Sequence, residues 1–521
     1  MKLLGKVGIV SAMTGISRVF GLVREMLMAH FFGTSTLQSA FVIAFRIPNL
    51  FRRLFGEGAL GAAFIPVFAE IERTEGKAAA QRFFARILGL LLCLLGFLVG
   101  LGILASYGIE EYCGEASRWS EAMPLMRIML PYAVLICIVA IVSAVLNVRD
   151  RFAVASLTPV VLNIVWILAL VGVCPFLPDT GYWRIGAVCW GILLAGIIQI
   201  FFQVPELRKV GFRLQFIFSG WTSSPHIRKV LLQMGPASLG IALAQINICI
   251  DGWLAFYGAS WAPSALEYAD RIIYLPLGLF GTAFATVLLP TYSRQVANQD
   301  YTDMVKTLEH ALKTLAVVMA PMVFGLMFLA MPIVEVIYRR GAFTEHSVIC
   351  TARAVMAYAP GLIVFSAAKT VIPIFYAFKD LKTPVRVASW CILGNFSLNV
   401  CSVLFLPEAW RHVGIAVSTC LNSLLNTAIL LFILWRRGIG VRLQEPFITL
   451  LKAVAAAMMM GAAAYWCWSA LSERLVSWIA LPLAIIVGGV LYFPLIYLFA
   501  PHTVKQILSE FALRKRRGKK S

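Results

Sequence analysis

Charge is what this chain has least of. Only 13% of its 521 residues are Asp, Glu, Lys or Arg, about half the share of a soluble domain, while 60% are hydrophobic. A soluble globular protein is excluded, and no stretch is left for a large soluble domain. Pairing signals among the cysteines are missing too. The 11 cysteines show no C-x-x-C and no metal-ligand spacing, and most fall inside apolar runs, as small core residues do. The six histidines are not paired at metal spacing. There is no H-E-x-x-H, no G-x-S-x-G at a strand-to-helix turn and no P-loop. No enzyme is therefore expected. Without a nucleotide site, energy has to come from an ion gradient, the membrane potential or substrate flux. A cleavable signal peptide is not expected either, because the first apolar run continues past Arg18 and Arg24 without a small-residue cleavage site.

What the chain has in abundance is apolar runs of about 20 residues, each able to cross a bilayer as a helix. Hydropathy predicts an all-α integral membrane protein with about fourteen transmembrane helices. The formal net charge of +20 sits mainly in short loops and in the tail "LRKRRGKKS". That distribution follows the positive-inside rule, places both termini in the cytoplasm and argues against nucleic acid as a partner. The tail suits anionic membrane lipid. One loop dissents: "YRRGAFTEH", Tyr338 to His346, puts two arginines on the predicted outer side.

An internal repeat is visible. "AFRI" at Ala44 and "LFG" at Leu54 recur as "ADRI" at Ala269 and "LFG" at Leu279, and Pro66 is echoed near register by Pro290. The offset spans six helices. An even number preserves orientation, so the repeats are parallel. The expected architecture is two six-helix lobes, 1–222 and 223–440, then two further helices in 441–500 and a basic cytoplasmic tail, 501–521. Two lobes around a cavity is a transporter layout.

The predicted spans carry charges that lipid would not tolerate at roughly 2.5–3.5 kcal/mol each. The first holds Arg18, Arg24 and Glu25. The second holds Arg46, Arg52, Arg53 and Glu57, and the eighth holds Glu267, Asp270 and Arg271. Spacing allows Arg18 with Glu25, Arg53 with Glu57 and Glu267 with Arg271 to pair. Six arginines against four carboxylates leaves a surplus, and planar guanidinium forks suit phosphate. An anion-binding cavity is expected; structural ion pairing is the alternative for any single residue. Asp251, with Asn395 and Asn399 four apart on one helical face, offers the donor types of a hard-cation site. Helix–helix hydrogen bonding would explain them equally. Lys369 is a further intramembrane charge with no assigned partner.

The stretches "SAMTGISRVFGLVREMLMAHFFG" and "AFRIPNLFRRLFGEGALGAAFIPVFAE" resemble the MurJ (MviN) family of lipid II flippases, within the MOP exporter superfamily. "YADRI", "LLPTYSR" and "FYAFKDLKTPV" follow at matching order. The resemblance implies a bacterial inner-membrane protein that moves undecaprenyl-pyrophosphate-linked disaccharide-pentapeptide between leaflets. It implies that Arg18, Arg24, Arg52 and Arg271 line the cavity and engage the pyrophosphate, and that Arg53, Glu57 and Asp270 serve the cavity or its gates; Arg53 is counted here with the substrate-binding arginines and Glu25 with the gating carboxylates. It also implies a lipid-tail groove along the last two helices and a sodium ion in the second lobe of some members. The sequence leaves open whether the protein works alone or beside cell-wall synthases. Two positions depart from the family pattern, Ser39 and Tyr274, where carboxylates linked to gating are expected; Glu25 and Glu57 are the candidate replacements. A flippase for another polyprenyl-pyrophosphate saccharide shares most of these features. A MATE-type drug exporter would favour acidic rather than arginine-rich groups.

Overall fold

A bilayer offers no water to backbone N–H and C=O groups, so a spanning chain must satisfy them within helices or a closed barrel. The computed structural model describes residues 2–56, 59–114, 117–179, 181–222 and 224–506, and every regular element in them is helical. Contacts divide the chain into two units: Met1–Ser264 with Arg340–Phe343, and Ala265–Arg339 with Thr344–Ser521.

The first unit holds α1 (Lys2–Phe32), α2 (Thr36–Phe51), α3 (Ala59–Thr74), α4 (Lys77–Cys113), α5 (Arg118–Met129), α6 (Tyr132–Val148), α7 (Phe152–Gly172), α8 (Trp183–Lys209) and α9 (Pro225–Gly258). α10 (Ala262–Pro276) starts at its edge. The second unit continues with α11 (Thr282–Ala297), α12 (Tyr301–Phe328), α13 (Ala330–Tyr338), α14 (Glu345–Tyr358) and α15 (Gly361–Ala377). It ends with α16 (Lys382–Phe405), α17 (Glu408–Arg436), α18 (Gln444–Ser472) and α19 (Ser477–Phe499). The sequence repeat puts a lobe boundary at 222/223. The contact-defined unit runs further, because α9 packs against α2 and α3. Within the second unit α18 packs on α12 and α19.

Ten helices among the described residues are long and apolar enough to span a membrane, or eleven if the bent pair α14–α15 counts as one span. The three expected spans outside that count are those singled out by their charges. α1 carries Arg18, Arg24 and Glu25 within two turns. The other two are broken into short pieces: α2 and α3 have 16 residues each, and α10 and α11 have 15 and 16.

Both breaks are π-turns, Arg52–Gly56 and Leu277–Gly281, whose first residues lie 225 apart (277 − 52), the same offset as "AFRI" and "ADRI". The repeat is thus carried by the backbone as well as by the letters. A π-turn adds one residue to a turn, rotating the residues beyond it by about 100° from α-helical register. Glu57, which spacing allows to pair with Arg53, lies outside the described residues.

The dissenting loop is held locally. Arg339 pairs with Glu335 one turn back, and the Ala342 N–H donates to the His30 carbonyl at the end of α1, at 2.8 Å.

The turn between α15 and α16 is fastened by Asp380. It accepts from the Thr383 hydroxyl at 2.7 Å, the Thr383 N–H at 3.0 Å and the Arg437 guanidinium at 2.6 Å. Burial works against its charge, but the Thr383 hydrogen bonds and then the Arg437 pair outweigh it and hold the carboxyl at about 2. Because the folded value lies below the unfolded carboxylate value, the stabilisation is complete above about pH 4 and is lost only as pH falls through 2. Asp380→Asn is expected to cost roughly 1 kcal/mol. In melting curves of the purified chain that deficit should be constant from pH 5 to 8; a deficit that grew across this range would assign it to another group.

Candidate functional site

Arginines can sit in apolar helices only where other side chains replace water. Arg24, 8% exposed, shows how the first unit does this. Its Nη2 pairs with Glu25, its Nη1 donates to Asn163 Oδ1 at 2.9 Å, and its guanidinium lies 4.2 Å from the centre of the Trp166 ring. Asn163 is oriented by donating to the Ser17 carbonyl at 3.1 Å. Trp166 is held by Phe41 and Phe45, each with its ring centre 5.4 Å away, and by an Nε1 hydrogen bond to Met28 Sδ at 3.3 Å. Arg24 therefore joins α1 to α7 and is closed off from solvent. Helical spacing predicted Glu25 as a partner of Arg18; it pairs with its own neighbour Arg24, because a long guanidinium arm reaches across positions that the helix points apart.

Arg46 is also engaged. Its Nη1 donates to the Ile248 carbonyl on α9 at 2.5 Å. It fits there only because α9 has Gly252 one turn on: a Cβ at that position would stand 1.8 Å from the same nitrogen. Arg52 opens the π-turn, half-buried, with its Nε donating to Asn49 Oδ1 at 2.9 Å. Arg53, beside it, is half-buried, and Arg18 is exposed. So of the first unit's intramembrane arginines, two are used to join helices, while Arg18, Arg52 and Arg53 remain accessible in whole or part.

In the second unit Arg271 is exposed and donates to Glu267 at 2.8 Å, the pair that its four-residue spacing predicts. Asp270 is half-buried and Tyr274 is exposed. The stem of Lys369 runs beside the second π-turn, its Cδ 3.6 Å from where a Gly281 Cβ would lie.

Ser39 is fully buried and its hydroxyl shares a 2.9 Å hydrogen bond with that of Ser264. Ser264 was not singled out from the sequence, though the signal was present: it stands 225 residues after Ser39 (264 − 39), the repeat offset again. Asn163, Trp166 and Gly252 were missed as well. The two on α7 left only a polar residue in an apolar run, three before a tryptophan.

Asp251 lies on α9 of the first unit, accepting from Asn247 Nδ2 at 3.3 Å, on the turn where Arg46 already brings a positive charge. Asn395 and Asn399 are buried on α16 of the second unit, a helix with no carboxylate. No group of three or more His, Cys, Asp and Glu that could hold a metal ion occurs among the described residues.

Comparison with known proteins gives a consistent result. The family described as lipid II flippase MurJ matches residues 28–486. A probable lipid II flippase MurJ of Vibrio cholerae is 35% identical over 470 residues, covering 87% of each chain. A lipid II flippase MurJ of Burkholderia cenocepacia is 33% identical over 502 residues, 94% of this chain and 96% of that one. Among solved structures, lipid II flippase MurJ in an inward closed conformation superposes with a TM-score of 0.77 at 25% identity, over 95% of this chain and 99% of that one. A multidrug resistance MATE transporter of the MOP superfamily, at 14% identity and TM-score 0.68, shares the fold.

Proposed function

Because the chain belongs to the MurJ family of lipid II flippases, we propose that it captures the pyrophosphate of lipid II with the accessible arginines of its broken, charged helices. Its activity is the movement of lipid II across the membrane in which its many apolar helices lie. In this reading Arg18, Arg52 and Arg53 are the direct phosphate ligands. Arg24 is a positioning residue that fixes α1 on α7. Arg271 contributes by exchanging its Glu267 partner for phosphate, and Asp270 lies beside it to tune that exchange.

The observation that supports this assignment is the π-turn at Arg52–Gly56, which places two half-buried arginines at a break in a span. Guanidinium forks bond phosphate oxygens in pairs and stay charged at any physiological pH. Substrate enters from the cytoplasmic leaflet and leaves on the outer one by alternating access, and no bond of the substrate is made or broken. Both termini face the cytoplasm. An inside-negative potential assists outward movement of an anionic head group by roughly 2.3 kcal/mol per charge per 100 mV. The flipped product then passes to cell-wall synthases on the outer side.

The test is genetic replacement. A bacterial host is depleted of its own lipid II flippase, this chain is expressed, and lipid II on the outer leaflet is counted. Restored outer-leaflet lipid II and growth are expected. A well-expressed, correctly inserted chain that restores neither would point to another polyprenyl-pyrophosphate saccharide as the substrate.

A further inference from the structure

At the end of the first unit predicted to face the cytoplasm, the acids are already taken. Glu70 pairs with Lys229 at 2.6 Å, Glu75 with His226 at 2.9 Å and Glu72 with Arg149. Glu206 holds Lys209 at 3.1 Å and Arg151 at 3.3 Å. Arg86 on α4 is left over. Among the described residues no hydrogen bond or ion pair reaches its guanidinium, and its Nε is buried without a partner. Neither α4 from Lys77 to Ile109 nor the segment 210–222 contains a single acid.

That segment, which joins α8 to α9, is laid along α4 on both sides of position 86. The Gln81 side chain bonds both backbone groups of Arg213, each at 2.9 Å, and the Ile217 N–H donates to the Ala85 carbonyl at 3.0 Å. Gly89 permits this approach, since a Cβ there would stand 2.2 Å from the Ile217 carbonyl oxygen. The strap then turns at Gly220, at φ +73°, against the guanidinium: a Cβ on Gly220 would meet Arg86 Nη2 at 3.2 Å. Phe212 buries one end of the strap. At the other, Phe218 is 56% exposed and the Trp221 indole is held by a 3.1 Å bond to the Ile217 carbonyl.

The site's depth follows from length. α4 has 37 residues, about 55 Å of helix, against roughly 30 Å of hydrocarbon. Its first three turns, with Arg82 and Arg86, therefore extend to headgroup level, where tryptophan is also favoured. An arginine without a counter-charge, walled by the glycine turn of a strap that carries Phe218 and Trp221, has the chemistry of a phosphate receptor at that level.

We propose that Arg86 and the Phe212–Trp221 strap form a binding site for a phosphate group, supplied by the headgroup of an anionic phospholipid of the cytoplasmic leaflet and separate from the arginines that handle the transported substrate. The experiment uses the full chain purified in neutral detergent, with native mass spectrometry reading bound dioleoyl phosphatidylglycerol, dioleoyl phosphatidylcholine and inorganic phosphate. One phosphatidylglycerol should be retained about tenfold more tightly than phosphatidylcholine, the scale of a lost charge-assisted contact. Arg86→Gln should abolish that preference. Gly220→Val, which keeps the charge but fills the turn, should abolish it too. Arg82→Gln, an equal loss of charge one turn away at an exposed position, should leave it intact, which separates a site from general attraction. A preference that survives Arg86→Gln would overturn the proposal. Displacement by millimolar inorganic phosphate, with no discrimination between the two lipids, would overturn the lipid as its source.

Discussion

Arg52→Gln is expected to lower outer-leaflet lipid II by about ten- to a hundredfold while leaving the amount of protein in the membrane unchanged. The size follows from what is removed: charge-assisted hydrogen bonds to a phosphate contribute roughly 1.5–3 kcal/mol in total when one guanidinium is lost. The selectivity follows from where Arg52 sits. It is half-buried at a π-turn, and its Nε bond to Asn49 sets the plane of the fork. Glutamine is close in length and helix-compatible, so the fold should absorb it. Arg52→Lys should fall between the two, since it keeps the charge and loses the paired geometry. The measurement is outer-leaflet lipid II in the depleted host, normalised to membrane protein level. Wild-type transport by Arg52→Gln would remove Arg52 from the proposed substrate site.

The features of this site that the sequence exposed were the local ones. Glu267 and Arg271 pair as their spacing requires, because both partners lie on one uninterrupted helix. The charged spans stood out because charge is rare here and expensive in lipid. Two kinds of information were hidden. The first is the helix break. Nothing in "RRLFG" specifies a π-turn rather than a kink. The second is long-range partnership. Nothing near Arg24 announces Asn163 and Trp166, more than 130 residues away, and nothing near Arg46 announces Gly252. The sequence shows six positive charges, but not that Arg24 and Arg46 bond to neighbouring helices. Ser39 and Ser264 mark the middle case, where the repeat offset carried the information and only the pairing itself was new.

Glu25→Gln should behave differently from Arg52→Gln, and the contrast tests whether Arg24 acts as a strut. Removing the carboxylate leaves a guanidinium that is 8% exposed without its counter-charge, a change that costs about 3–5 kcal/mol in buried pairs. Arg24→Gln removes the pair as well, and with it the Asn163 bond and the contact on Trp166. Both single variants should therefore lower the melting temperature and the membrane level together, with transport falling in proportion to protein. The double variant Arg24→Gln with Glu25→Gln should be more stable than the sum of the two losses predicts, because it leaves no uncompensated buried charge, and the shortfall measures the coupling. If Arg24→Gln instead left melting and abundance at wild-type values while transport vanished, Arg24 would have to leave its cage to meet substrate, and its role would be that of Arg52. The two residues thus make opposite demands on the same assay: one should separate transport from abundance and the other should not, because one arginine is presented at a break in a helix and the other is sealed between two.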